Sequence, residues 1–260
     1  DATIVNSGGT LQLQNNITVN TEKLKLNGNG FGGNGALQNL SGNNTWAGAV
    51  VLGADARLQS DAGLLTVSGS VTSATNANLD VRGSGNTTVS GDIGTGNGGI
   101  TKNGTGTLTL SGNNTFAGAT TISQGVVSLQ SNTGLGSTGG ATTVAAGAAL
   151  ELSNVAHGNL ATSAEPLTIN GTGVSGAGAL RSVAGANTFA GQVTLGSASL
   201  ITASSGQSLT LSGGTTGSNQ ALTVGTTAEN GTVTIAGNMS HGTGSLTKDG
   251  AGSLVFSGAT

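Results

Sequence analysis

The segment Ser-Gly-Asn-Asn-Thr-Phe-Ala-Gly at residues 111–118 constrains the fold most, because it recurs along the chain. Ser-Gly-Asn-Asn-Thr-Trp-Ala-Gly stands at 41–48, and Ala-Gly-Ala-Asn-Thr-Phe-Ala-Gly at 184–191. A further, shortened copy begins at Ser257, so the anchors start at positions 41, 111, 184 and 257, at nearly even intervals. A motif repeated at such intervals points to stacked units, each burying its apolar face on the next.

A longer period lies over the first. Residues 24–30 reappear at 167–173, and 65–69 at 209–213. Residues 91–112 align without gaps to 237–258 and keep 10 of 22 identities. The 260 residues therefore read as one β-helical segment, with an internal block of about 143–146 residues made of two units of about 70–73. One residue added to a strand would exchange its faces, so the offset between blocks should change at turns. Residues 86–89 against 228–233 mark such a place.

Between Gly, Asn, Ser and Asp clusters lie short alternating runs: Leu11-Gln12-Leu13, Leu24-Lys25-Leu26, Leu108-Thr109-Leu110, Leu150-Glu151-Leu152, Leu209-Thr210-Leu211. Strict alternation marks half-buried strands of four to six residues. It also opposes the flexible-chain reading that 49 glycines invite. With 2% aromatic and 7% charged residues, the core must be assembled from small aliphatic side chains. A sandwich and a solenoid both suit such strands, and the repetition favours the solenoid. Coils of about 20–25 residues give roughly eleven or twelve coils, a rod of about 55 Å at the strand spacing of about 4.8 Å. Residues 161–165, ahead of Pro166, are expected to form one helical turn.

Composition removes several functions. No stretch approaches the roughly 20 apolar residues of a membrane-spanning helix. The chain has no Cys, hence no disulfide and no thiolate metal site. Seven scattered Lys and Arg and a net charge of −3 argue against nucleic acid. The start at Asp1, without Met or a signal pattern, suggests a piece of a larger protein with cut coils at both ends.

Gly104 to Leu129, read as Gly-x-Gly-Thr-Leu-Thr-Leu-Ser-Gly-x-Asn-Thr-Phe-x-Gly-x-Thr-Thr-Ile-x-x-Gly-x-Val-x-Leu, resembles the passenger-associated transport repeat of bacterial autotransporters. The match is close throughout that segment, weaker at 35–52 and 178–195, and cut short at 250–260. The resemblance implies a right-handed parallel β-helix exported across the Gram-negative outer membrane by a C-terminal β-barrel of the same parent chain. Strands of such a barrel, with aromatic girdles, are not seen here. The family contains adhesins, proteases, esterases and cytotoxins, so the resemblance alone does not choose an activity.

Each candidate site has a packing role to set against it. Trp46, Phe116 and Phe189 share one register, which reads as an internal aromatic anchor; exposed, they would form a sugar-stacking ladder. The pairs Asn43-Asn44 and Asn113-Asn114 read as corner residues that satisfy backbone groups and hydrogen-bond along the stack. Thr107, Thr109, Thr120 and Thr121 are too irregularly spaced for an ice-binding array. The ten acids are Asp1, Glu22, Asp55, Asp61, Asp80, Asp92, Glu151, Glu165, Glu229 and Asp249, dispersed among turns. Glycoside chemistry needs two carboxyls about 5–9 Å apart; Asp55 and Asp61, with Arg57 between, are the nearest pair and read as a solvated loop. His157 and His241 have no partner motif, residues 94–99 lack the P-loop ending, and calcium-binding nonapeptides are absent. The expectation is therefore a non-enzymatic stalk with no catalytic, cofactor-binding or metal residues and no cofactor. It would lie at the cell surface or be secreted. The alternative is an adhesin contacting host or neighbouring-cell surfaces, with end-to-end or lateral self-association as one form.

Overall fold

Leu24, Leu26, Leu108 and Leu110 are fully buried, while Lys25 between the first pair is exposed. Alternation along each short run thus sorts side chains into an apolar inside and a polar outside, and each Leu, Ile or Val so removed from water contributes roughly 1.5–3 kcal/mol. The computed structural model describes residues 2–153 and 158–258. It is all-β, with parallel strands in stacked coils, a β-solenoid of about 11 turns, as the repetition predicts.

The chain divides into two compact units, residues 1–120 with 133–140, and residues 121–132 with 141–260. Within the first, strands stack in three parallel columns. One runs through Ala2–Val5, Lys23–Gly28, the start of Val50–Ser60, and Val71–Ser73. The second runs through Leu11–Leu13, Leu37–Asn39, the end of Val50–Ser60, Leu79–Arg82 and Ile100–Lys102. The third runs through Thr18–Val19, Asn43–Trp46, Leu64–Val67, Asn86–Val89 and Thr107–Leu110.

The second unit repeats this plan. Thr142–Val144, Leu167–Gly171, Val193–Ala203 and Thr215–Gly217 form one column. Ala148–Ser153, Leu180–Ala184, the end of Val193–Ala203, Leu222–Val224 and Leu246–Lys248 form another. Ala186–Phe189, Ser208–Leu211, Thr232–Ile235 and Ser253–Phe256 form a separate four-stranded stack.

Three expectations need correction. Coil lengths are less even than expected: Leu64 pairs with Asn43, whereas Leu180 pairs with Leu150, a coil nearly half as long again. The excess sits in corners. Residues 225–231 join Leu222–Val224 to Thr232–Ile235, where 83–85 suffice between Leu79–Arg82 and Asn86–Val89. Strands also run longer than six residues, since Val50–Ser60 and Val193–Ala203 each turn a shallow corner without breaking. Residues 161–165 form no helical turn. Ala161 instead bridges Thr188 in parallel, and the Glu165 amide donates to the Ser163 carbonyl at 2.8 Å. The pull of the neighbouring strand at Ala161, and Pro166 just after, keep the segment out of the helical conformation.

One corner is closed by glycine alone. A Cβ at Gly69 would run into the carbonyl of Gly48, one at Gly91 into that of Gly69, and one at Gly112 into that of Gly91. Coils meet there backbone to backbone, with no room for any side chain.

Candidate functional site

The repeated anchor resolves into two asparagine roles. The second Asn of each copy points inward and is buried: Asn44, Asn114 and Asn187 are 0, 2 and 1% exposed. Its Oδ1 accepts from the preceding coil, from the amide of Ile17 at 2.8 Å, Ile93 at 2.9 Å and Leu160 at 2.8 Å. Its Nδ2 donates to corner carbonyls. Asn187 reaches the Ala184 carbonyl and Ser182 Oγ, both at 2.8 Å, and Asn44 reaches the Ser41 carbonyl at 2.8 Å and Asn39 Oδ1. The amide of the residue before it donates to an Asx side chain one coil back: Asn43 to Asn16, Asn113 to Asp92, Ala186 to Asn159. This explains why Ala186 can replace the first Asn while the second is kept in all three copies.

Trp46, Phe116 and Phe189 are 3, 0 and 0% exposed. The aromatic register is therefore core, and no sugar can stack on it. The Trp46 Nε1 is buried without a hydrogen-bond partner.

The acids do not converge as a catalytic pair. Asp55 accepts from the Asn78 amide at 2.7 Å; Asp61 accepts from Gln38 Nε2 at 2.6 Å and Gln59 Nε2 at 2.7 Å. Arg57 links neither. It is 9% exposed and pairs at 2.8 Å with Asp80, its strand neighbour in the next coil, which Arg82 also contacts at 2.9 Å. Sequence distance hid this cluster, because residues one coil apart are adjacent in space. Glu151 pairs with Arg181 in the same way, across one of the longer coils. His157 lies outside the described residues. Among the described residues, no group of three His, Asp or Glu side chains could hold a metal ion.

Three buried ionisable groups escaped sequence reasoning because each sits at an ordinary strand or corner position. Lys102, 2% exposed, donates to the Gly104 carbonyl, and burial pulls its pKa down to about 8 against the opposing charge of Asp80. Lys248 donates likewise to the Gly250 carbonyl at 3.0 Å, so the Lys-Asn/Asp-Gly corner is one device used twice. Glu165, 1% exposed, accepts from Thr142 Oγ1 at 2.6 Å through Oε1, while Oε2 has no partner; burial raises its pKa to about 7, against the pull of that hydrogen bond. His241 lies 3.0 Å from Thr215 Oγ1 through Nε2 and leaves Nδ1 unpartnered, and burial lowers its pKa.

Two surface features remain. A shallow polar groove in the second unit is lined by Thr194, Thr216, Ser218, Asn219, Gln220 and Ser240. In the first unit, a 3₁₀ turn at Phe31–Gly33 carries a ring that is 76% exposed.

The coil-on-coil register and the twice-used Lys-Asn/Asp-Gly corner fall where the comparison with known families does. Residues 100–129 and 246–260 match the passenger-associated-transport-repeat. The chain carries that transport repeat. No curated protein and no solved structure gave a match. Each transport-repeat segment opens on a short strand, Ile100–Lys102 or Leu246–Lys248, then turns through the Lys corner into a four-residue strand, Thr107–Leu110 or Ser253–Phe256. The repeat and the β-solenoid together support an autotransporter passenger domain.

Proposed function

We propose that this chain is a stalk segment of an autotransporter passenger: it extends from the cell surface, holds distal regions away from it, and assists its own export by folding coil upon coil. The observation that carries this reading is the parallel register. Strand pairs join one coil to the next, as Asn43–Trp46 to Leu64–Val67 and then to Asn86–Val89. A formed coil therefore presents the edge on which the next one folds, so folding outside the membrane biases the chain outward. The transport repeat implies a C-terminal outer-membrane barrel in the parent chain and a surface or secreted location. Absence of Cys suits passage as an unfolded chain through an oxidising compartment.

The decisive experiment deletes residues 104–129 from the parent protein and follows surface display and protease resistance of the passenger. Accumulation inside the cell, or a displayed but protease-sensitive passenger, is expected. Unchanged export and unchanged resistance would end the export role.

A further inference from the structure

One outer row of the second unit is built of hydroxyl side chains alone. Parallel register puts Thr143 beside Thr168, Thr168 beside Thr194, Thr194 beside Thr216 and Thr216 beside Ser240. The strand neighbours Thr142, Val144, Leu167, Ile169 and Val193 are buried, so the row faces outward. Intervals of 22 to 26 residues hide it in the sequence, and stacking turns them into one rung per coil. None of the five hydroxyls makes a hydrogen bond among the described residues.

At Thr194, Thr216 and Ser240 the row borders a groove of about 620 Å³, within the roughly 300–1,000 Å³ of ligand clefts. Gly196, Gly217 and Gly242 also line it, and they leave it open. Asn219 and Gln220 stand in the same lining, each held by one end of its amide. Asn219 Oδ1 accepts from the Thr243 amide at 2.8 Å, which leaves Nδ2 for a ligand; Gln220 Nε2 donates to the Ser218 carbonyl at 3.3 Å, which leaves Oε1.

The first unit is an internal control. Its corresponding row reads Ile4, Lys25, Val51, Thr72 and Gly94, so the coils stack without a run of hydroxyls. The corner beside that row is filled by the chain itself. Ser73 Oγ donates to the Leu52 carbonyl at 3.0 Å and accepts from the Ala77 amide at 3.1 Å, and Thr75 Oγ1 donates to the Gly53 carbonyl at 3.4 Å. In the second unit Gly217 stands in the place of Ser73, and residues 217–221 are one fewer than 73–78. The groove opens where those self-contacts are missing.

The lining and the spacing together select a ligand class. No Lys or Arg lines the groove, which does not suit nucleic acid. Leu195 is its one large apolar residue and is 2% exposed, so the apolar core of a protein interface is missing. An extended peptide laid along the row would repeat every two residues, about 6.6–6.8 Å, out of step with rungs about 4.8 Å apart. One unit of an extended β-1,4-linked glycan advances by close to one rung, and its hydroxyls donate and accept as the Ser, Thr, Asn and Gln side chains do. We infer that the row from Thr143 to Ser240, with Asn219 and Gln220 at its groove, binds a neutral, extended glycan chain lying along the stack, successive sugar units meeting successive rungs. Each such hydrogen bond replaces one to water and nets little, so affinity has to be gathered over several rungs. The inference goes beyond the stalk reading and does not depend on it.

The test titrates the purified chain with cello-oligosaccharides from the dimer to the hexamer, and with malto-oligosaccharides, whose α-1,4 linkage coils the chain out of step with the rungs. Affinity for the cello series should rise at least tenfold from dimer to hexamer, and the malto hexamer should bind at least tenfold more weakly than its cello counterpart. Thr194→Val and Thr216→Val should each weaken binding of the cello hexamer at least threefold. Thr194→Val places in the second unit the residue that the first carries as Val51, so its thermal melting should match that of the parent. Thr72→Val, the same change in the row of the first unit, should leave binding at the parent level. No binding of the cello hexamer, an affinity that does not grow with length, equal binding of the malto hexamer, or full binding by the two valine variants of the second unit would each overturn the assignment.

Discussion

Thr142 Oγ1 donates at 2.6 Å to Glu165 Oε1, and this is the hydrogen bond that steadies a carboxyl sealed inside the second unit. With its pKa raised to about 7 from 4.5, Glu165 holds a proton more tightly in the folded chain than in the unfolded one. Such a group costs nothing below the unfolded value, and its cost grows as pH rises from there towards about 7, above which it levels off. Folding should therefore lose on the order of 3 kcal/mol of local stability between acid and mildly alkaline solution. Glu165→Gln should remove that slope and be the more stable form at pH 8.5, read by urea denaturation there and at pH 4.5. An equal slope in the variant would assign the pH dependence elsewhere.

His241 works from the other side. Its pKa is lowered by burial, so the unfolded chain takes up its proton first and stability falls as pH drops below about 6.5. His241→Gln can still hydrogen-bond Thr215 and should flatten the acid limb alone. Denaturation curves at pH 5 and pH 7 on the parent and the variant measure this.

Asn187 serves one amide and three acceptors, so its loss leaves several buried groups unpaired. Asn187→Ala should cost about 2–3 kcal/mol, felt in the coils around it because stability in a solenoid is local. Asn43→Ala changes an exposed side chain and should cost under about 0.5 kcal/mol. Hydrogen exchange of the Leu160 amide, held by Asn187, and of the Ile17 amide, held by Asn44 next to Asn43, compares the two variants; equal protection loss would contradict the distinction between the two Asn positions.

Phe116 and Phe189 are fully buried, and truncation to Ala should cost about 3–5 kcal/mol through lost transfer energy and the remaining cavity. Melting of the single variants would show it, and a loss below about 1 kcal/mol would mean that the rings contribute little to the core.

Gly69→Ala introduces a Cβ against the Gly48 carbonyl and should destabilise by more than about 2 kcal/mol, since only backbone can yield there. A variant that melts within a degree or two of the parent would show that the corner can open.

Sequence reasoning reached what depends on period and alternation: Leu24 and Leu26 inside with Lys25 outside, the parallel stack, and the buried register of Phe116. It missed what depends on which residue stands one coil away. Arg57 finds Asp80 and not its nearer neighbours Asp55 and Asp61, because a separation of 23 along the chain is one step up the stack. Glu165 reads as one acid among ten until Thr142, one coil back, is placed beneath it. The helical turn expected at 161–165 failed for the same reason, since local propensity yielded to the pairing of Ala161 with Thr188.

The glycine corner also bears on how such a chain can change length over generations. Gly48, Gly69, Gly91 and Gly112 recur once per coil and form a seam. Losing or gaining a single residue within a strand would set a side chain against the seam and turn the inward residues outward. Copying a coil entire keeps both. Growth by whole-coil duplication, with later drift at the wider corners, is then the route the backbone tolerates. Unequal coil lengths, such as those at Asn43–Leu64 and Leu150–Leu180, are what such drift would leave.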